Sequence, residues 1–332
     1  MDVRGAWKRP TRWALSASIA VTLLGVATAD RPRPAVEKWA DPKLSVTRGL
    51  ALWLDAARLA EARKAAGLSA LKDGEPLEVW PDGSGAKKDV TQRDVGARPT
   101  YRQAEGFRAV RFDGRGKYLG LSSAGQSFKE ATVFVVAAPY PNRDGFPAFL
   151  SMGAKGKNDF ETGLNIDQAV GVPPRFEFVN VEGAGSQGAK NLAKEASPHG
   201  AVVRLCVTSV PGKSGTALWI NGKRQADRDR AAGTVLRADE LLVGARYYTL
   251  GGPPQPRGFL HGDIAEVLVY DRALDDADRA AVEKYLSAKY GSVPRSRCPG
   301  SWPAASRSSP SRTRRRSRCS CPGSPSGSFP SI

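Results

Sequence analysis

Ten short apolar or alternating runs, none longer than ten residues, follow one another between Phe107 and Tyr270. They are Phe107–Phe112, Tyr118–Leu121, Thr132–Ala138, Ala148–Ser151, Glu161–Ile166, Arg175–Val181, Ala201–Val210, Thr216–Ile220, Leu241–Ala245 and Ile264–Tyr270. Clusters of Gly, Pro, Asn and Asp separate them, and those residues supply turn conformations. No helical pattern of ~10–15 residues lies between the runs, which argues against a parallel α/β sheet. The pattern predicts an all-β, antiparallel two-sheet sandwich. Thr132–Val136 and Ala201–Val207 are apolar enough to lie centrally. Leu218-Trp219-Ile220 runs into Asn221-Gly222, a pair favoured in hairpin turns because both residues need positive φ.

Before these runs, Gly49–Leu54 reads as a buried strand, and an Ala-rich helical patch over Ala56–Ala66 ends at Gly67. After them comes one strong helix, Asp275–Tyr290. Asp275 can cap it, Asp276 and Asp278 suit the positive end of its dipole, and Val282, Tyr285, Leu286 and the stem of Lys289 form one stripe. Gly291 suits a left-handed stop.

The two ends differ from this body. Residues 1–29 combine a basic start (Arg4, Lys8, Arg9, Arg12), an uncharged stretch from Trp13 and the small-x-small ending Ala27-Thr28-Ala29. That is the make-up of a secretory signal peptide, so the chain is expected to be secreted, periplasmic or at a cell surface. A Pro-rich lead-in is expected over residues 30–43. Residues 292–332 hold eight Arg and no Asp or Glu, with Ser, Pro and three of the four Cys. Such a segment is expected to be disordered. It reads as a basic tail, as a linker, or as GC-rich coding sequence taken out of frame, in which case a longer secreted protein would continue past residue 291. Of the formal charge of +17, the tail supplies +8 and the first 29 residues +3, leaving +6 over residues 30–291. A domain so mildly basic has no nucleic-acid footprint, and no specific nucleic acid is expected as a partner. No segment after the first 29 residues is apolar enough to span a membrane.

Three stretches together resemble the laminin-G-like, concanavalin A-like jelly-roll modules of secreted bacterial proteins. They are Gly49-Leu-Ala-Leu-Trp-Leu-Asp55 with Val79-Trp-Pro-Asp-Gly-Ser-Gly85, then Val110-Arg-Phe-Asp-Gly114 leading to Tyr118-Leu119, then Gly258–Leu274 with its helix to Gly291. The resemblance covers residues 44–291. It implies two stacked antiparallel sheets with a C-terminal helix packed on them. It also implies binding of glycans or protein surfaces, often with a structural Ca²⁺. It fixes no ligand, since the same sandwich serves lectins, hydrolases and lyases.

Glycans are held by aromatic faces that stack on sugar C–H groups, with amides or acids on the hydroxyls. The aromatic candidates are Tyr247 and Tyr248, then Trp80 and Tyr101; Trp53 and Trp219, inside apolar strands, read as core. Candidate Ca²⁺ oxygens are Asp82, Asp89 and Asp113, against the plainer role of Asp-Gly pairs as turn residues. The nearest approach to a glycosidase carboxylate pair is His261-Gly-Asp263-Ile-Ala-Glu266. On an unbroken strand Asp263 and Glu266 point to opposite faces, so no catalytic residue is assigned. Glu161 and Glu177 read as solvated. His199 and His261 lack metal-ligand spacing, and Cys206 reads as a core thiol. The sequence thus predicts an exported, non-catalytic module that binds carbohydrate or a protein partner. The alternatives are a polysaccharide hydrolase or lyase, and a structural spacer.

Overall fold

The computed structural model describes residues 35–291, except 105, 123–124, 143–144 and 169–173. The expected signal segment, the start of the lead-in and the basic tail lie outside the described residues.

Two antiparallel sheets stack face to face. The larger runs, in spatial order, β14 (Lys223–Arg230), β13 (Gly212–Ile220), β12 (Val203–Ser209), β8 (Ala131–Pro139), β19 (His261–Tyr270), β5 (Phe107–Asp113) and β4 (Thr100–Ala104). β1 (Leu50–Asp55) pairs with the second half of β19, and β5 with its first half. The smaller sheet runs β11 (Val179–Gly183), β10 (Leu164–Gln168), β9 (Ala148–Gly153), β16 (Glu240–Val243), β6 (Leu119–Ser122), β3 (Val90–Thr91) and β2 (Val79–Trp80). Two small ribbons join β7 (Ser127–Phe128) to β15 (Leu236–Arg237), and β17 (Arg246–Tyr248) to β18 (Gln255–Arg257). The α-helices of the described residues are α1 (Leu59–Ala65), α2 (Asp159–Thr162) and α3 (Asp276–Tyr290). No helix among the described residues is long and apolar enough to cross a membrane.

The core has two layers. Leu52, Leu54, Val110, Phe112, Val133, Val135, Ile166, Val181 and Val207 fill the space between the sheets. Trp53, Phe134, Val136, Cys206, Leu268, Tyr270, Val282 and Leu286 form a second cluster between the larger sheet and α3. This explains why β8 is buried at every position. A strand covered on both faces carries a continuous apolar run, whereas a half-covered strand alternates. Burial pushes the Cys206 thiol well up, and it is a core residue as expected.

Local signals acted largely as the sequence implied. Asp275 accepts from the Asp278 amide at 2.8 Å and opens α3. Asn221 and Gly222 have φ of 52° and 79°, the two positive values a type I′ hairpin requires. Asn221 Oδ1 also accepts from the Arg204 amide at 3.0 Å. Asn221→Ala is expected to cost about 1–2 kcal/mol in urea denaturation, because alanine pays for positive φ and the acceptor is lost.

Several expectations need correction. Glu161 and Thr162 belong to α2, and the strand starts at Leu164. The next strand starts at Val179, not Arg175; Phe176 makes only a bridge to Ser197. β4 and β14 were not expected, because they carry too many polar residues to read as strands: both are edges, where charge blocks further pairing. The lead-in is not simply extended. It turns at residues 38–40 and 42–43 and buries Ala40 against the α3 cluster. Gly291 is not left-handed, with φ −66°. It continues the helix by donating to Ser287 O, and a Cβ there would lie 2.5 Å from that oxygen. Trp219 is half-buried on the outside of the sheet, with the Arg279 guanidinium 4.5 Å from its ring centroid.

Candidate functional site

The outward face of the smaller sheet carries an open groove of ≈ 510 Å³. Leu119, Leu241 and Val243 of β6 and β16 point into the core, so the intervening Gly120 and Leu242 face outward and form the groove floor. A Cβ on Gly120 would meet Leu242 Cδ2 at 3.1 Å, so glycine keeps that floor low. Tyr118 and Tyr247 line the walls, together with Pro256. Asp89, Thr91, Gln92, Arg93, Ser122 and Glu240 supply polar groups. Phe259 backs Tyr118, with ring centroids 6.1 Å apart. Partial desolvation, then Glu240 and Tyr118, raise the Tyr247 hydroxyl above its ordinary pKa. The groove therefore offers two aromatic rings, an apolar floor and planar polar groups around them.

Of the four aromatic candidates, Tyr247 reaches this groove. Tyr248 turns the other way, because successive residues of a strand alternate. Its ring lies 4.8 Å from the Arg246 guanidinium. Trp80 has no exposed surface and Tyr101 only 3 %, so both are packing residues. The Trp80 indole nitrogen has no hydrogen-bond partner among the described residues. Tyr118, Gln92, Arg93 and Glu240 were missed. Each sits at the end of a short strand or just beyond it, and only the stacking of β3, β6 and β16 brings them together.

The three candidate metal ligands are spent on the backbone. Asp82 accepts from the amides of Trp53, Ser84 and Lys88 and from the Ser84 hydroxyl, between 2.8 and 3.0 Å. Asp113 Oδ1 takes the amides of Arg115, Gly116 and Lys117. Asp89 Oδ1 holds the Asp82 amide and lines the groove. Ca²⁺ needs ~6–8 converging oxygens. No group of three or more acidic, His or Cys side chains among the described residues is placed to hold a metal ion. These carboxylates do not fit a Ca²⁺ site; they are turn builders.

Beside the groove, on the same sheet face, lies a buried polar cluster that sequence reasoning did not find. Asn165 and Asp167 of β10 and Asn180 and Glu182 of β11 alternate with core residues and point outward. α2 and the β17–β18 ribbon cover them. Arg246 bonds Asp159 at 2.8 and 3.1 Å and Asp167 at 3.1 Å, and lies 3.5 Å from Glu182. Oriented to satisfy both its amide atoms, Asn165 donates to Asp167 at 2.6 Å and accepts from Arg246 at 3.0 Å. Asp167 Oδ1 has no partner among the described residues. Burial pushes Asp167 up to about 7, against the pull of Arg246. Burial raises Asp159 as well. The alternation Leu-Asn-Ile-Asp and Val-Asn-Val-Glu was visible in the sequence, but such a pattern ordinarily marks a solvated face.

The His261–Glu266 pattern also resolves. A bulge at Ala265 shifts the pairing of β19 with β8. Asp263 pairs with Arg111, on the side of β5 that carries Phe107 and Ala109, and Glu266 reaches α3. Both acids thus lie on the helix side of the sheet, not on opposite faces. Both are held by several donors. Asp263 takes Arg111 in two bonds of 2.6 and 2.7 Å and the Tyr140 hydroxyl at 2.7 Å. Glu266 accepts from Trp53 Nε1 (2.7 Å), Tyr285 (2.9 Å), Tyr290 (2.8 Å) and Lys289 (2.8 Å). Lys289 also bonds Asp55 at 2.5 Å. Burial and then Glu266 push Asp55 up to about 7 despite Lys289.

No protein-family model matches this chain, and no curated protein matches it. Among solved structures it is similar to Trypanosoma rangeli sialidase in complex with sialic acid, at 12 % identity and a TM-score of 0.48, over 73 % of this chain and 34 % of that one. It thus spans about a third of the sialidase's length. It is also similar to domain 4 of AbnA, a GH43 extracellular arabinanase from Geobacillus stearothermophilus, in complex with arabinotriose. There the identity is 14 % and the TM-score 0.45, over 69 % of this chain and 95 % of that domain. A native heptameric SAP-like pentraxin from Limulus polyphemus matches at 15 % identity and a TM-score of 0.42, over 52 % and 79 % of the two chains. Likenesses this distant identify no ligand. The architecture itself is an antiparallel two-sheet β-sandwich with a C-terminal helix packed on it.

Proposed function

We propose that this chain is an exported carbohydrate-binding module that holds an oligosaccharide in the groove between Tyr118 and Tyr247. The observation that carries the reading is the composition of that groove. Two aromatic rings flank a low apolar floor, and Asp89, Gln92, Arg93 and Glu240 stand around it. Rings give sugar C–H faces a surface, and planar polar groups give paired hydrogen bonds to hydroxyls. Asp263 and Glu266 lie away from this groove, on the helix side of the larger sheet, and are held there by several donors.

A glycan array followed by calorimetry on the full chain tests the reading. Tyr247→Ala and Tyr118→Ala are each expected to weaken binding about 10–100-fold, the loss typical of an aromatic anchor. Binding that survives both changes would remove the groove from consideration. A hydrolase reading would rest on the two groove carboxylates, Asp89 and Glu240. Release of reducing sugar by the full chain, abolished in Glu240→Gln, would establish it in place of simple binding. The expected export is checked by sequencing the N-terminus of the mature protein, which should begin at Asp30.

A further inference from the structure

The β17–β18 ribbon forms one wall of the groove, yet little apolar contact holds it. None of residues 246–257 belongs to either apolar cluster of the core. Leu250, at the ribbon tip, is 95 % exposed. Elements with few buried apolar contacts open at low free energy unless something else ties them down.

Here the ties are polar, and they converge on α2 and the sheet face beneath. The Thr249 amide donates to Asn158 at 2.9 Å, and the Tyr247 amide donates to Asp159 at 3.3 Å. The deepest tie is Arg246, whose guanidinium reaches Asp159 of α2, Asp167 of β10 and Glu182 of β11. The rings of Tyr248, Phe146 and Phe160 surround it at 4.8, 5.7 and 5.8 Å. Only a planar fork with several donors can serve three carboxylates on three elements at once; an ammonium group is a single point. Removing the cation would leave buried carboxylates without their partner and take away the ribbon's main tie to α2 and the sheet. Arg257, which faces Arg246 across the ribbon, is exposed and makes no ion pair with these acids. Tyr247 is the residue next to Arg246 and points the opposite way, into the groove.

We propose that Arg246 is the positioning residue of the groove: its ion pairs latch the ribbon to the sheet and so fix where Tyr247 stands against Tyr118. The consequence for ligand affinity rests on the carbohydrate reading, but the latch itself does not.

Hydrogen exchange of the full chain without ligand tests the latch. In Arg246→Lys and Arg246→Ala, amides of residues 247–257 are expected to exchange at least about tenfold faster, while those of β8 and β19 keep their protection. Methylguanidinium at millimolar levels is expected to slow the ribbon again in Arg246→Ala and to leave the wild type unchanged. Ribbon exchange that stays at the wild-type rate in both variants, or that rises only in step with β8 and β19, overturns the latch. A second arm measures binding of cellohexaose, xylohexaose, arabinohexaose and chitohexaose. If the wild type binds any of them, Arg246→Lys is expected to bind about tenfold more weakly. Unchanged affinity with a loosened ribbon overturns the positioning role. If the wild type binds none, the carbohydrate reading loses its support, and the exchange arm still decides the latch.

Discussion

Glu266→Ala is expected to lower the stability of the sandwich by about 3–5 kcal/mol, the range found when one partner of a buried charge network is removed. Four donors converge on this carboxylate from two elements: the indole of Trp53 in β1, and the side chains of Tyr285, Lys289 and Tyr290 in α3. Alanine would leave the indole with no acceptor and Lys289 with Asp55 as its close partner. For a domain of this size the melting temperature should fall by roughly 10 °C. Glu266→Gln keeps the shape and one acceptor but turns an amide N–H₂ toward donors, so its cost should be about half as large. Calorimetry or urea denaturation measures both. A loss under about 1 kcal/mol for the alanine variant would mean that the helix is held by its apolar stripe alone.

The second large expectation concerns pH, and its direction is the reverse of ordinary acid denaturation. Asp55 and Asp167 each have a carboxyl that burial pushes from 3.8 to about 7 in the folded chain. The folded protein therefore binds more protons than the unfolded one between pH ~4 and ~7. Stability from these two groups is fully present below pH ~4 and is lost as pH rises to ~7, by up to about 1.4 kcal/mol per pH unit for each. Urea midpoints should thus rise as the pH is lowered from 8 to 5. Asp167→Asn, which supplies a neutral group at the same place, should remove about half of that slope. Midpoints that stay flat over this window would show that both acids remain ionised throughout, and an unchanged slope in Asp167→Asn would show that Asp167 does.

The frame of the fold was readable because its signals are local. Periodicity marks strands that lie in the middle of a sheet, Asn221-Gly222 marks its hairpin, and Asp275 marks the start of α3. What escaped reading was decided by neighbours far away in the chain. Whether Asn165, Asp167, Asn180 and Glu182 meet water depends on a ribbon some sixty to eighty residues later, and alternation alone cannot tell a solvated face from a covered one. Trp80 looked like an exposed aromatic because it sits beside a Pro-Asp-Gly turn, yet it is one of the largest buried side chains. Tyr247 and Tyr248 were singled out together, and the alternation of a three-residue strand gave them different duties.

The extra residue at Ala265 has a mechanical consequence for how this chain can change. β19 behaves as two half-strands joined out of phase, the first facing β5 and the second facing β1. Deleting that one residue would leave Ile264 and Glu266 adjacent, opposite the adjacent Ala137 and Val136, and keep every side chain on its present face. Asp263 would stay on Arg111 and Glu266 with the donors of α3, two residues apart on one unbroken strand. Ala265 is therefore the one place where β19 can lose a residue without turning a side chain over.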